Sequence, residues 1–164
     1  MKLFPQSASE RSSYIAQAAM IAAIYVILTA ITQIFGLASG IIQVRVSEML
    51  TVLPALFPAA VPGLAVGCLL ANLLTGCAPW DVLFGTIATT LGALGSYALR
   101  RFPRLAALPP IIANTLIIPF ILILVYQAPY ALPFLFVTVG VGEIISAGLL
   151  GSFLMHILLK RSRS

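Results

Sequence analysis

Residues 14–35 read YIAQAAMIAAIYVILTAITQIF, and no charged side chain occurs anywhere between Arg11 and Arg45. A helix needs about 20 apolar residues to cross the hydrocarbon core of a bilayer, and this run supplies them. Outward from it the same emptiness recurs. There is no charge between Glu48 and Asp81, between Asp81 and Arg100, or between Arg104 and Glu143. By length these four gaps hold one, two, one and at least one crossing, and residues 130–159 supply the last.

Composition agrees with that count. The 164 residues are 61% hydrophobic and 8% charged, with a mean hydropathy of +1.12. A soluble domain carries about 25% charged residues to wet its surface, so lipid must solvate most of these side chains. Lipid-spanning chains satisfy their backbone hydrogen bonds as helices or closed barrels. Barrel strands alternate in polarity, whereas these runs are continuous. The expected fold is an all-α integral membrane bundle of six transmembrane helices over residues 14–160, with a cytoplasmic arm (1–13) and tail (161–164). Residues 14–35 are too long for a signal peptide and lack a small-residue cleavage site.

Breakers divide the bundle. Helix 1 is expected over 14–35, capped by Ser12 or Ser13 and ended by Gly36, Ser39 and Gly40. Helix 2 is expected near 47–58. Pro54, Pro58 and Pro62 crowd a turn over 57–63, and helix 3 runs to about Thr75. The GCAP loop (76–79) precedes helix 4 (81–99). Helix 5 follows (106–126, with a kink at Pro119), and then helix 6 (131–159). Helices 2 and 3 are short for full crossings: tilted, proline-broken or partly re-entrant.

The net charge is +5, but the basic residues flank helix ends, where anionic lipid rather than nucleic acid is the ordinary partner. Lys2 and Arg11 precede helix 1, Arg100, Arg101 and Arg104 join helices 4 and 5, and Lys160, Arg161 and Arg163 follow helix 6. An even number of crossings gathers all of these on one face, the cytoplasmic one by the positive-inside rule. Arg45 alone falls outside. Cys68 and Cys77, nine residues apart on what reads as one helix, are too far apart for a disulfide and read as buried small hydrophobes.

In that topology Glu10 belongs to the cytoplasmic side and His156 lies near the cytoplasmic end, and the remaining polar residues fall on the outer half. Glu143 sits near mid-membrane within GVGEIISAG (140–148). An intramembrane carboxylate is either a functional group or a protonated acid bonded to a neighbouring helix, and the small residues around it admit a helix or a ligand closely. Arg45 and Glu48 are three residues apart and suit either an intrahelical ion pair or a site. Asp81 caps helix 4 or pairs with Arg45. Trp80 is a pocket aromatic or an interface-belt residue. Asn72 is a ligand contact or helix glue, and His156 an interfacial residue. On the inner half, Ala18/Ala22 and Ala19/Ala23 form a smooth stripe suited to close packing, internal or with another subunit, and Gly63/Gly67 repeats the pattern. No phosphate-binding Gly-x-x-x-x-Gly-Lys-Ser/Thr loop, metal-spaced cluster or nucleophilic triad is present. ATP hydrolysis, metal and cofactor are therefore not expected of this chain.

The segments QVRVSEMLTVLP (43–54), PAAVPG (58–63), GCLLANLL (67–74) and DVLFGTIAT (81–89) resemble the QueT family, over about residues 14–159. These are substrate-binding S components of energy-coupling factor (ECF) transporters, linked to queuosine precursors. The resemblance implies a six-helix S-component fold in the cell membrane with an outer ligand pocket. It also implies partners: a transmembrane coupling protein, met through the helix 1 stripe, and two ATPase subunits. The implied ligand is a 7-deazaguanine, namely preQ0, preQ1 or queuine. A guanine-like edge presents adjacent N–H donors that one carboxylate can accept, which suits Glu143 with Asn72 assisting. Glu48 or Asp81 suits an aminomethyl cation, and Trp80, Tyr126 or Tyr130 suits stacking on the ring. Within the same class, another vitamin or base is the competing ligand. Outside it, the alternatives are an assembly subunit without a ligand or a membrane enzyme using Glu143 and Asp81.

Overall fold

The computed structural model describes residues 7–37 and 43–161, and in it the described chain is helical throughout. Helix α1 spans Ala8–Ile34. It begins earlier than Ser12 or Ser13 because Ser7 and Glu10 form a reciprocal capping box: the Glu10 N–H donates to Ser7 Oγ at 3.2 Å and the Ser7 N–H to Glu10 Oε2 at 3.1 Å. This Ser-x-x-Glu spacing satisfies two orphan donors of the first turn. The expected break at Ser39 and Gly40 lies outside the described residues.

Helix α2, Val46–Ala55, is a 3₁₀-helix of ten residues with Pro54 inside it. At about 2.0 Å per residue it is roughly 20 Å long, short of the ~30 Å hydrocarbon core. Eight of its ten residues are buried, because it runs through the middle of the bundle against α1, α3 (Ala60–Leu74), α4 (Pro79–Ala98) and α6 (Leu132–Arg161). Helix α3 has fifteen residues, about 22 Å at 1.5 Å per residue. Helices α2 and α3 are thus the two short members, as their prolines and lengths predict. Helix α5 covers Leu108–Leu124 with Pro119 internal. Three helical stretches, Ala8–Ile34, Pro103–Leu124 and Leu132–Arg161, are long and apolar enough to cross a membrane.

Glycine governs how closely the helices approach. A Cβ on Gly63 would stand 2.7 Å from the Ala18 carbonyl oxygen, and one on Gly67 would stand 2.9 Å from Tyr25 Cβ and 3.0 Å from Ala22 Cα. Ala18 and Ala22 therefore meet Gly63 and Gly67, and at these two positions the smooth stripe of α1 packs inside the subunit. Ala19 and Ala23 are exposed on the other side. On α4, Gly92 admits Pro110 in the same way.

Contacts sort the helix ends. The Tyr14 hydroxyl donates to the Pro58 carbonyl at 3.5 Å, and Ala106, Ala107 and Met155 share a cluster with Val52 and Ala55. The start of α1, the α2–α3 turn, the α4–α5 link and the end of α6 thus lie together. Arg11, Arg100, Arg101, Arg104, Lys160 and Arg161 belong to that end; Lys2 and Arg163 lie outside the described residues. Arg45 stands at the opposite, outer end, as an even helix count requires.

Helix α6 changes winding partway. Leu132–Glu143 is α, Ile144–Leu150 is π, and Gly151–Arg161 is α again. The π segment packs on the 3₁₀-helix α2, and a Cβ on Gly151 would come within 2.9 Å of Val52 Cγ1. Two departures from α geometry therefore lean on each other beside Glu48 and Glu143. π turns are rare and collect at functional sites.

Candidate ligand-binding site

Buried polar groups converge from all six helices. Glu48 on α2 is 1% exposed. Its carboxylate accepts a short hydrogen bond from the Tyr25 hydroxyl on α1 and one from Asn114 Nδ2 on α5 at 3.3 Å. Cys68 of α3 and Thr89 of α4 lie alongside, the Thr89 hydroxyl donating to Cys68 Sγ at 3.4 Å. Glu143 of α6, 8% exposed, lies close to Glu48 and Asn114. Among the described residues its Oε2 has no hydrogen-bond partner, and the hydroxyls of Thr115 and Ser146 are buried without partners as well. Most buried polar groups in proteins are satisfied, so an acceptor left open at this depth marks a place for something to bind.

A cavity of about 490 Å³ lies on the outer side of this cluster, within the range of small-molecule sites. Its wall includes Gln33, Gln43, Arg45, Cys77, Asp81, Tyr126, Tyr130, Ile118, Thr138 and Val139. The register of three helices sets its position over the polar cluster. Val139 is one turn before Glu143 on α6, Ile118 one turn after Asn114 on α5, and Arg45 one 3₁₀ turn before Glu48. Each cavity-lining residue is one turn outward of a cluster residue, so the cluster forms the floor. Gly142 is needed there, because any Cβ would collide with the Gln43 carbonyl, which presses onto α6 directly beside Glu143.

The outer rim is tied by Tyr126. Its hydroxyl accepts from the Ala78 N–H at 3.1 Å and donates to Asp81 Oδ2 at 2.9 Å. Burial, together with the Asp81 carboxylate, pushes the Tyr126 phenol up to about 12, so it remains a donor at neutral pH. Gln127 adopts φ +49, turning the chain sharply after α5 and bringing Tyr126 and Tyr130 to the same cavity.

Of the residues singled out by sequence, Arg45, Asp81 and Tyr130 line the cavity, and Glu48 and Glu143 lie beneath it. Glu48 takes its hydrogen bonds from Tyr25 and Asn114, and Arg45, on the cavity wall, interacts with Asp81 more strongly than with Glu48. Asn72 is buried between α3 and α4, with its amide near Cys68 Sγ (3.5 Å) and over Gly85. Trp80 is 59% exposed and stacks on Phe84 with ring centroids 6.1 Å apart, off the cavity wall. Cys77, expected as a buried small hydrophobe, is half-buried on the cavity wall because α3 ends at Leu74. Tyr25 and Asn114 were not anticipated. Each is a hydrogen-bonding residue inside a long apolar run, the same signal that drew attention to Glu143.

A model of the QueT transporter family matches residues 15–160. The chain belongs to the QueT transporter family. No curated protein and no solved structure matches it. Membership makes this a membrane transport protein, and the cavity over the Glu48–Asn114–Glu143 floor is where a QueT-family chain of this geometry has room and polar groups for a ligand.

Proposed function

We propose that the protein is the substrate-binding S component of an ECF transporter. In this reading it captures a queuosine precursor (preQ0, preQ1 or queuine) at the outer face of the cell membrane. A coupling protein and two ATPase subunits then drive its uptake. The observation that carries the reading is the open Glu143 Oε2 beneath a cavity of about 490 Å³. A guanine-like edge, with two adjacent N–H donors, is the complement of a carboxylate whose Oε2 has no hydrogen-bond partner among the described residues. Tyr126 and Tyr130 on the wall offer flat faces for the ring, an interaction worth about 1–3 kcal/mol per base in nucleic-acid sites. The chain itself carries no phosphate-binding loop, which fits a subunit energised by others.

Cys77 provides a native reporter. It lines the cavity, whereas Cys68 is buried, so a membrane-impermeant maleimide is expected to modify Cys77 alone. Saturating preQ0, preQ1 or queuine protects it in the detergent-solubilised protein, with Kd values from parallel titrations matching the protection curve. Protection by an unrelated vitamin or base, and by none of these three, would reassign the ligand. Absence of any small molecule on the purified protein by mass spectrometry, together with no protection, would favour an assembly subunit.

A further inference from the structure

Two carboxyl groups form the floor beneath the cavity, and they differ in what they have left to offer. Glu48 has a donor on each oxygen: the Tyr25 hydroxyl on Oε1, and Asn114 Nδ2 on Oε2 at 3.3 Å. Glu143, close to the same Asn114, has no partner on Oε2 among the described residues. Depth does not make the difference, since Glu48 is 1% and Glu143 8% exposed. The phenol beside Glu48 does. Without it, Glu48 Oε1 becomes a second open acceptor in the same floor, on a side chain with three torsions free to turn it.

Tyr25 is held from behind. It is buried within α1, and a Cβ on Gly67 would stand 2.9 Å from Tyr25 Cβ, so the glycine lets α1 lie close enough to α3 for the phenol to reach Glu48 on α2. The backbone of α2 is tied to α1 by a separate contact. One turn further along α1, the hydroxyls of Thr29 and Ser47 are hydrogen-bonded at 2.9 Å, and both residues are buried. The start of α2 therefore keeps its anchor without the phenol, and what the phenol controls is the direction of the Glu48 carboxyl.

We infer that Tyr25 is a positioning residue for ligand recognition: by holding the Glu48 carboxyl toward α1 it leaves Glu143 as the one open carboxyl of the floor. This rests on the reading of Glu143 as the acceptor of the ligand's paired N–H donors. Tyr25 is not part of the cavity wall and acts only through Glu48. When its hydroxyl is removed, two carboxyl groups compete for one pair of donors, and the ligand's edge is no longer read by Glu143 alone.

The test is a double-mutant cycle on the full-length protein in detergent or nanodiscs, titrated with preQ0, preQ1, queuine and guanine. In the wild-type background Glu143→Gln is expected to weaken binding about 100-fold. In the Tyr25→Phe background the same substitution is expected to weaken it about tenfold or less, because the freed Glu48 oxygen accepts one of the donors and one recovered hydrogen bond is worth about tenfold. Gly67→Ala, which displaces the Tyr25 ring but keeps its hydroxyl, gives the same reduction. A merely structural Tyr25 lowers Tm and leaves the Glu143→Gln factor unchanged, since effects without a shared partner add. An equal factor in the wild-type and Tyr25→Phe backgrounds thus overturns the inference and leaves Glu143 as the contact. If neither Tyr25→Phe nor Gly67→Ala yields folded protein, the Tyr25 hydrogen bond is structural and the inference falls as well. A wild type that binds while Glu143→Gln costs nothing removes the contact on which the inference stands, and binding of none of the four compounds overturns the functional reading itself.

Discussion

Glu143→Gln separates a ligand contact from a structural one, because the two roles move affinity and stability differently. The substitution preserves shape and replaces one acceptor oxygen by a donor. In wild type, Oε2 is buried without a partner among the described residues, so no hydrogen bond to them at that oxygen is lost. Against a ligand presenting two N–H donors the change sets donor against donor. Hydrogen bonds to a charged group contribute roughly 1.5–3 kcal/mol each. Losing one and compromising the other amounts to about 3 kcal/mol, or about two orders of magnitude in Kd. Stability is expected to change little, since Oε2 has no hydrogen bond among the described residues to lose. The assays are isothermal titration with preQ0, preQ1, queuine, guanine and adenine, and thermal unfolding of the ligand-free protein. Adenine lacks the paired donors on that edge and is expected to compete poorly with wild type. Unchanged affinity for every ligand in the variant would refute the role of Glu143, and a collapse of Tm together with affinity would make it a structural contact.

Three further outcomes follow from the packing. Gly142→Ala drives a methyl into the Gln43 carbonyl and is expected to cost about 1–3 kcal/mol, read as a lowered Tm and weaker ligand binding. An unchanged Tm would show that Gln43 moves aside freely. The stripe of α1 divides: Ala22→Leu, on the buried side against Gly67, lowers Tm by overpacking. Ala19→Leu with Ala23→Leu, on the exposed side, keeps Tm and ligand binding but weakens co-purification with the coupling protein and slows uptake, and normal uptake would exclude that face as the contact. Cysteines introduced at Ser7 and at Ser162, the latter outside the described residues, are labelled from the cytoplasm only, and labelling of either in intact cells would break the even-helix topology.

The helix count, the two short helices and the segregation of basic residues were legible because each follows from one-dimensional quantities: run length, breaker position and charge spacing. Glu143 was legible for a related reason, since a carboxylate in an apolar run stands out without any knowledge of its neighbours. The same criterion, applied evenly, reaches Asn114 in LPPIIANTLIIPFILIL and Tyr25 in α1. They escaped notice because a single amide or phenol in an apolar helix costs far less than a charge and draws less attention. The start of α1 was misplaced by overlooking Ser7-x-x-Glu10, a local signal.

The form of α2 is different in kind. Nothing in VSEMLTVLPA requires a ten-residue 3₁₀-helix, which is less favourable than α in isolation. What the winding achieves is visible only with the neighbours in place. A 3₁₀-helix is thinner and rises faster than an α-helix, so ten residues carry Glu48 and Val52 down a central channel already walled by α1, α3, α4 and α6. The π segment Ile144–Leu150 is the counterpart, a widened turn where Gly151 lets Val52 press close. Each irregular helix has its regular alternative close in energy, and the cost of leaving it is offset by packing against the other. A substitution that returns one of them to α geometry should therefore disturb the second, with Glu48, Asn114 and Glu143 between them. This gives Gly151→Val a specific signature: a β-branched side chain against Val52 Cγ1, where even a Cβ stands at 2.9 Å, is expected to weaken ligand binding although Gly151 is two turns inward of Glu143. If affinity stayed at the wild-type value while Tm fell, the two windings would be packing solutions independent of the site.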